Sequence, residues 1–310
     1  MRPKYIVEYA ALRSVIFFIN LFPVQLIMLF CTSVGWLTWV FAPFRLRVTC
    51  KNMSIALPDR TRSERMRLLR RAYIQICRTF GAVFILHRPS MRRMINTTVI
   101  SGQDVVDQAL AQGKGVILTT CHACWFEAFF AWFNASALPT TLIYQKQRNP
   151  LSNNFFLDQR RHHSGNNLEY ITSNEKLSAY EKILQRGRLL IISLDQNYNK
   201  NGTPIPFFKH TLSCARGTGL LHLKTGAPVL TSVYYMKDGQ MHIDFKKVEL
   251  PEYQEVNEEN INDICSRAIR DYESFFRTYP EQWFSLYHRL WSKKPDFYPE
   301  IKRTLREIFL

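Results

Sequence analysis

The 310-residue chain lacks a paired-cysteine framework. Its seven cysteines, Cys31, Cys50, Cys77, Cys121, Cys124, Cys214 and Cys265, are odd in number and mostly isolated. That usage excludes a disulfide-stapled secreted scaffold and fits free thiols in a reducing compartment. Internal repeats and low-complexity linkers are missing too, as are nucleic-acid signatures such as paired Cys/His fingers or aromatic RNP runs. Acid is in short supply: 25 Asp and Glu stand against 41 Lys and Arg, a formal net charge of +16. The imbalance predicts anionic partners, whether phospholipid head groups, phosphorylated lipids, acidic proteins or nucleic acid, without choosing among them. The 14% aromatic content, together with a long apolar segment, points to lipid.

That segment, Ser14 to Phe44, contains no charged residue in 31 positions. A helix needs roughly 20 apolar residues to cross a bilayer core, so the length suffices for a span. It is too long for a signal-peptide core and has no clear small-x-small cleavage site before the next charges, so retention is expected. Pro23 and Gln25 interrupt it, which leaves open a kinked span or a helix lying partly in the interface. Arg45, Arg47 and Lys51 follow closely, and with the later arginines to Arg71 they outweigh Arg2, Lys4 and Arg13. The positive-inside rule then places the bulk of the chain in the cytoplasm. The expected organisation is a membrane anchor over residues 1–45 and a cytoplasmic α/β domain over residues 46–310.

Beyond the anchor, Thr61 to His87 reads as an amphipathic helix, with Met66, Leu69, Tyr73, Ile76, Phe80 and Phe84 at helical spacing and arginines opposite. From there, short apolar runs at 115–120, 140–144, 168–172, 189–194 and 228–235 alternate with helix-like segments at Leu151–Arg161, Glu175–Arg186 and Cys214–Thr225. Such alternation predicts a mostly parallel sheet covered by helices, with sites beyond the carboxyl ends of strands. A closing strand at 242–250 and a helix from Glu258 to Tyr279 complete the domain.

The run GVILTTCHACWFEAFFAWF puts His122 just past a strand and Glu127 five residues later. Within one continuous helix five residues turn through about 500°, which would part the two side chains. They meet only if His122 sits at the strand-to-helix junction while Glu127 leans back toward the helix start. A carboxylate so placed would hold the imidazole in one tautomer and leave it free to take a proton from an attacking hydroxyl. The aromatics that follow, Trp125 to Phe133, read either as core or as an acyl-chain slot. Cys121 and Cys124 raise a thiol nucleophile as an alternative, but Cys121 and His122 point to opposite faces of an extended segment. A zinc site from Cys121, His122 and Cys124 lacks a fourth ligand, and no metal is expected.

In order along the chain, CHACWFE with its HX4E element, YQKQRNPLSNNFFLDQRR, SLDQNY, PFFKHTLSCARGTGLLHLKTGAPV and PEQWFSLYHRLW resemble the lipid A late acyltransferases, the lauroyl and myristoyl transferases of lipopolysaccharide synthesis. The resemblance covers nearly the whole chain. It implies a glycerolipid-acyltransferase-like α/β fold at the bacterial inner membrane. It also implies transfer without an acyl-enzyme, from an acyl carrier protein thioester as co-substrate to the hydroxyl of a 3-hydroxyacyl chain on a lipid A precursor, with no cofactor. Carried over, His122 becomes the general base and Glu127 its orienting partner. Asp195 and Gln196 match a recurrent Asp-Gln and are expected in the same cleft, while Arg148, Arg160 and Arg161 would suit the acceptor's phosphates. The chain departs from many members in having Tyr144-Gln145 where they have Tyr-Arg.

Two rival readings follow. A glycerophosphate or lysophospholipid acyltransferase shares the HX4D/E device, but its Phe-Pro-Glu-Gly-Thr-Arg segment is missing; the comparable region reads NGTPIPFF. A non-catalytic basic membrane or nucleic-acid binder would account for the charge and the anchor but gives the His-Glu pair no role.

Overall fold

The computed structural model describes residues 2–43, 45–161, 167–198 and 202–291. Two helices open the chain, α1 (Pro3–Asn20) and α2 (Val24–Phe41), followed by α3 (Leu46–Ala56), α4 (Arg62–Val83) and α5 (Pro89–Asn96). The α/β part then runs β1 (Val99–Ser101), α6 (Gln103–Leu110), β2 (Val116–Thr120), α7 (Phe126–Ala135), β3 (Thr140–Tyr144), α8 (Pro150–Arg161), β4 (Leu168–Thr172), α9 (Leu177–Gln185) and β5 (Leu189–Ser193). It ends with a small hairpin, β6 (Thr203–Phe207) and β7 (His210–Cys214), then α10 (Gly217–Thr225), β8 (Val229–Lys237), β9 (Gln240–Lys247) and α11 (Glu258–Thr278).

Seven strands form one sheet in the order β1-β9-β8-β2-β5-β3-β4, parallel throughout except where β9 returns antiparallel to β8. The fold is therefore the expected α/β class with a mostly parallel sheet between helices. β2 is buried at all five positions, as β-branched and aliphatic runs are when helices cover both faces. The β8–β9 turn uses Asp238 and Gly239, both at positive φ, the pairing that a two-residue hairpin with native twist requires. Two helices, α4 and α11, start on a capping polar side chain. Thr61 and Glu64 close a reciprocal capping box on α4, and Asn257 accepts the N–H of Asn260 to start α11.

The uncharged amino-terminal stretch is two helices rather than one continuous span. The chain breaks between Asn20 and Val24, where Pro23 can only precede a new first turn. α1 lies on α8, with the Asn149 amide donating to Tyr5 O (2.9 Å) and Tyr9 edge-on to Phe155. α2 lies antiparallel on α4. A Cβ at Gly35 would come within 2.6 Å of Ile74 Cα, so the two helices approach there because glycine has no side chain. Val24–Phe41 is the helix, among the described residues, long and apolar enough to cross a membrane, with mean hydropathy 1.7 and 17% of it buried. Phe17, Phe18, Leu21, Phe22, Leu29 and Phe30 expose more than half their surface around the α1–α2 junction, an apolar patch that solvent alone does not account for.

Candidate active site

β2 and β5 are adjacent and parallel, with Thr120 opposite Ser193. Two residues beyond that register, His122 and Asp195 come together at the carboxyl edge of the sheet. The imidazole Nδ1 lies 2.7 Å from Asp195 Oδ1, and the His122 backbone N–H donates to the same oxygen at 2.9 Å. Asp195 is fully buried and His122 about one-third exposed. A carboxylate on Nδ1 selects the tautomer with the proton there and leaves Nε2 as the acceptor.

The other carboxylate oxygen of Asp195 accepts from the Ser285 hydroxyl, which in turn accepts the indole N–H of Trp283 at 2.9 Å. Burial by itself would raise the Asp195 carboxyl. The charge of the adjacent His122, with hydrogen bonds from its ring, from Ser285 and from the His122 N–H, outweighs burial and holds the carboxyl below its ordinary value. The segment after α11 also fixes the backbone: His122 O accepts the N–H of Phe284 (2.9 Å) and Ser285 (3.3 Å), and the Cys124 N–H donates to Gln282 O at 2.7 Å. From the sheet side, the Tyr234 hydroxyl donates to Cys121 O at 3.0 Å and accepts the Ala123 N–H at 3.2 Å. Both ends of the loop are thereby tied down.

The imidazole Nδ1 is held by Asp195, where Glu127 was the expected partner. Trp125 takes a left-handed conformation (φ 67°), its N–H capped by Thr79 Oγ1, so α7 begins only at Phe126. Glu127 is buried in that first turn, and the imidazole nitrogen it was expected to hold is taken by Asp195. The carboxylate comes from the neighbouring strand rather than from the next helical turn.

A pocket of about 200 Å³ opens beside His122, walled by Phe126, Phe130, Leu142 and Phe156, with Tyr144 and Gln145 at its polar edge. Some of the α7 aromatics therefore face a cavity, while Phe129 and Phe133 are core. Asp195 is buried behind His122 and does not itself line this pocket, and Gln196 is half-buried next to it. Arg148 is exposed on the loop before α8; the side chains of Arg160 and Arg161 lie outside the described residues. Cys121 and Cys124 are buried thiols. Burial and the nearby Asp195 charge push Cys121 well up, and burial pushes Cys124 up to about 12, so neither is a ready thiolate at neutral pH. Nothing in the sequence alone singles out Ser285, Trp283 or Tyr234, although Trp283 and Ser285 fall within PEQWFSLYHRLW.

No curated protein matches the chain. The family described as bacterial lipid A biosynthesis acyltransferase matches residues 2–293, the two amino-terminal helices and the closing segment included. With nearly its whole length matched, the chain belongs to the bacterial lipid A biosynthesis acyltransferases.

Proposed function

We propose that this acyltransferase moves a laurate- or myristate-class chain from acyl carrier protein to the hydroxyl of a 3-hydroxyacyl chain on a lipid A precursor. His122 serves as general base and Asp195 as its positioning carboxylate. The observation behind the reading is an imidazole held through Nδ1 by a buried carboxylate, with Nε2 left to act beside an apolar-walled pocket. In the reaction His122 Nε2 takes the acceptor's hydroxyl proton as the oxygen attacks the thioester carbonyl. The tetrahedral intermediate collapses with cleavage of the C–S bond, and the imidazolium returns the proton to the departing thiolate. One ester and one thiol result, with no covalent enzyme intermediate.

Glu127 is kept in the proposal as a buried carboxylate needed for turnover, and Arg148, Arg160 and Arg161 as groups for the acceptor's phosphates. Gln196 is proposed to shape the cleft beside Asp195. Residues 1–45 are proposed to hold the enzyme on the cytoplasmic face of the inner membrane, supported by the apolar α2 and the exposed side chains at its junction with α1.

The test pairs two donors with two acceptors. Detergent-solubilised enzyme receives lauroyl or myristoyl groups on acyl carrier protein or on coenzyme A, with a tetraacylated lipid A precursor or lysophosphatidic acid, and products are weighed by mass spectrometry. The expected result is one added ester-linked chain on the lipid A precursor, with the carrier protein as preferred donor. Preferential acylation of lysophosphatidic acid would contradict the acceptor assignment.

A further inference from the structure

The pocket beside His122 holds an amide that neither the dyad nor its supports use. Asn153, in the first turn of α8, is only 4% exposed, yet its side chain lines the cavity. Phe156 and Leu157 line it as well, three and four residues on, the spacing that puts side chains on one helix face. Phe155 lies on another face, edge-on to Tyr9 of α1. The side of α8 turned toward His122 is thus one carboxamide followed by two apolar side chains.

The carboxamide has a fixed orientation. The branch that meets the Gln147 N–H at 3.0 Å, in the loop before α8, must be the acceptor Oδ1, because a backbone N–H only donates. The Asn153 N–H itself goes to Asn149 O at 2.9 Å, so the residue is held at main chain and side chain. With the oxygen turned to the loop, Nδ2 is the branch left to face the cavity, and it has no hydrogen-bond partner among the described residues. A donor so little exposed is ordinarily paired, and one that is not marks a place where a partner arrives.

The walls indicate which partner. Among the described residues no lysine or arginine lines the pocket, so a phosphate would find no counter-charge there. Phe126, Phe130, Leu142 and Phe156 suit hydrocarbon instead. An acyl group in such a slot carries one strong hydrogen-bond acceptor, its carbonyl oxygen. In the reaction proposed above, both substrates bring a carbonyl to the reacting end. One is the thioester of the donor. The other belongs to the 3-hydroxyacyl chain, two carbons from the hydroxyl that His122 deprotonates.

We infer that Asn153 donates an Nδ2–H to a substrate carbonyl oxygen in the His122 pocket and so fixes the reacting chain against the imidazole. The inference rests on the acyl transfer proposed above. A bond to the thioester oxygen strengthens as charge gathers there during attack and acts on kcat. A bond to the carbonyl of the 3-hydroxyacyl chain is made equally before and during attack and acts on binding.

The test uses full-length N153A and N153D with thermal melts matched to wild type. N153D keeps an oxygen for the Gln147 N–H and loses the donor, whereas N153A loses both. Transfer from lauroyl carrier protein is measured to a tetraacylated lipid A precursor and to an analogue whose 3-hydroxyalkyl chains lack the carbonyl. Both variants should lose at least about tenfold in kcat/KM, the order of one hydrogen bond left without its partner. A fall in kcat with the preference between the two lipids unchanged assigns the thioester oxygen, and a preference that collapses toward one assigns the carbonyl of the 3-hydroxyacyl chain. N153D with wild-type kinetics would overturn the inference, because only the bond to Gln147 would then matter. So would a loss in N153D that N153A does not share, which would be the effect of the introduced charge. If wild type prefers lysophosphatidic acid, kcat on that lipid makes the same comparison, so the carbonyl contact and the choice of acyl-accepting lipid fail separately.

Discussion

His122 and Asp195 are 73 residues apart in the chain, yet their side chains meet at 2.7 Å because each stands two residues beyond a register pair of adjacent parallel strands. The sheet, rather than a local turn, builds the dyad. A contact made this way is rigid, since both loops leave fully hydrogen-bonded strands and one is tied again by the segment from Gln282 to Ser285. Rigidity of this kind suits a base that must face its substrate in one orientation.

The two candidate carboxylates are separable by a double-mutant cycle. D195N removes the negative partner of Nδ1 and should lower kcat by a factor on the order of 10² or more, the worth of a well-placed general base. E127Q should also slow turnover. Because Asp195, and not Glu127, holds the imidazole Nδ1, the two losses should add in free energy when kcat is measured on the single and double variants. A double variant no slower than D195N alone would mean that both carboxylates act through the same ring.

Ser285, together with His122, holds the Asp195 carboxyl down. The Asp195 carboxyl lies below its ordinary value of 3.8 when folded. Its stabilising contribution is therefore complete above that value and is lost as pH falls through the lower folded value. In S285A one oxygen of the buried carboxylate loses its donor and the folded value rises toward the ordinary one. Acid unfolding followed by tryptophan fluorescence should then begin at higher pH than in wild type, while S285T, which keeps the hydroxyl, should behave like wild type. Coincident acid transitions for S285A and wild type would remove Ser285 from this role.

Thiol chemistry has a direct counter-test. Cys121 and Cys124 are buried with their acidities suppressed, so C121A/C124A should fold and keep at least about a tenth of wild-type turnover, the loss coming from small cavities. Complete inactivity of a folded double variant would revive the nucleophile reading.

Much of the fold was legible from local patterns. The runs at 140–144 and 168–172 match β3 and β4 to the residue, and the helix expected from Glu258 is α11. Errors arose where tertiary contacts decide. Local pattern makes Cys214 a helix start, but pairing with Thr203 makes it the end of β7. The interruption expected at Pro23, by contrast, is where the apolar stretch divides into two helices. At the site, spacing points to Glu127 as the partner of His122, whereas the carboxylate on Nδ1 is Asp195, because spacing along the chain speaks only for local contacts. The strand order that sets β5 beside β2 is not written in either strand. Ser285 and Trp283 were missed for the same reason: their service to Asp195 depends on where the chain returns after α11.

The most direct test of the account is the initial rate of acyl transfer to a tetraacylated lipid A precursor by H122A and wild type, at equal concentration of folded enzyme and saturating acyl carrier protein thioester. The account predicts a fall in H122A of at least about 10², with binding of both substrates kept. Transfer by H122A within a few-fold of wild type would show that the imidazole is not the base.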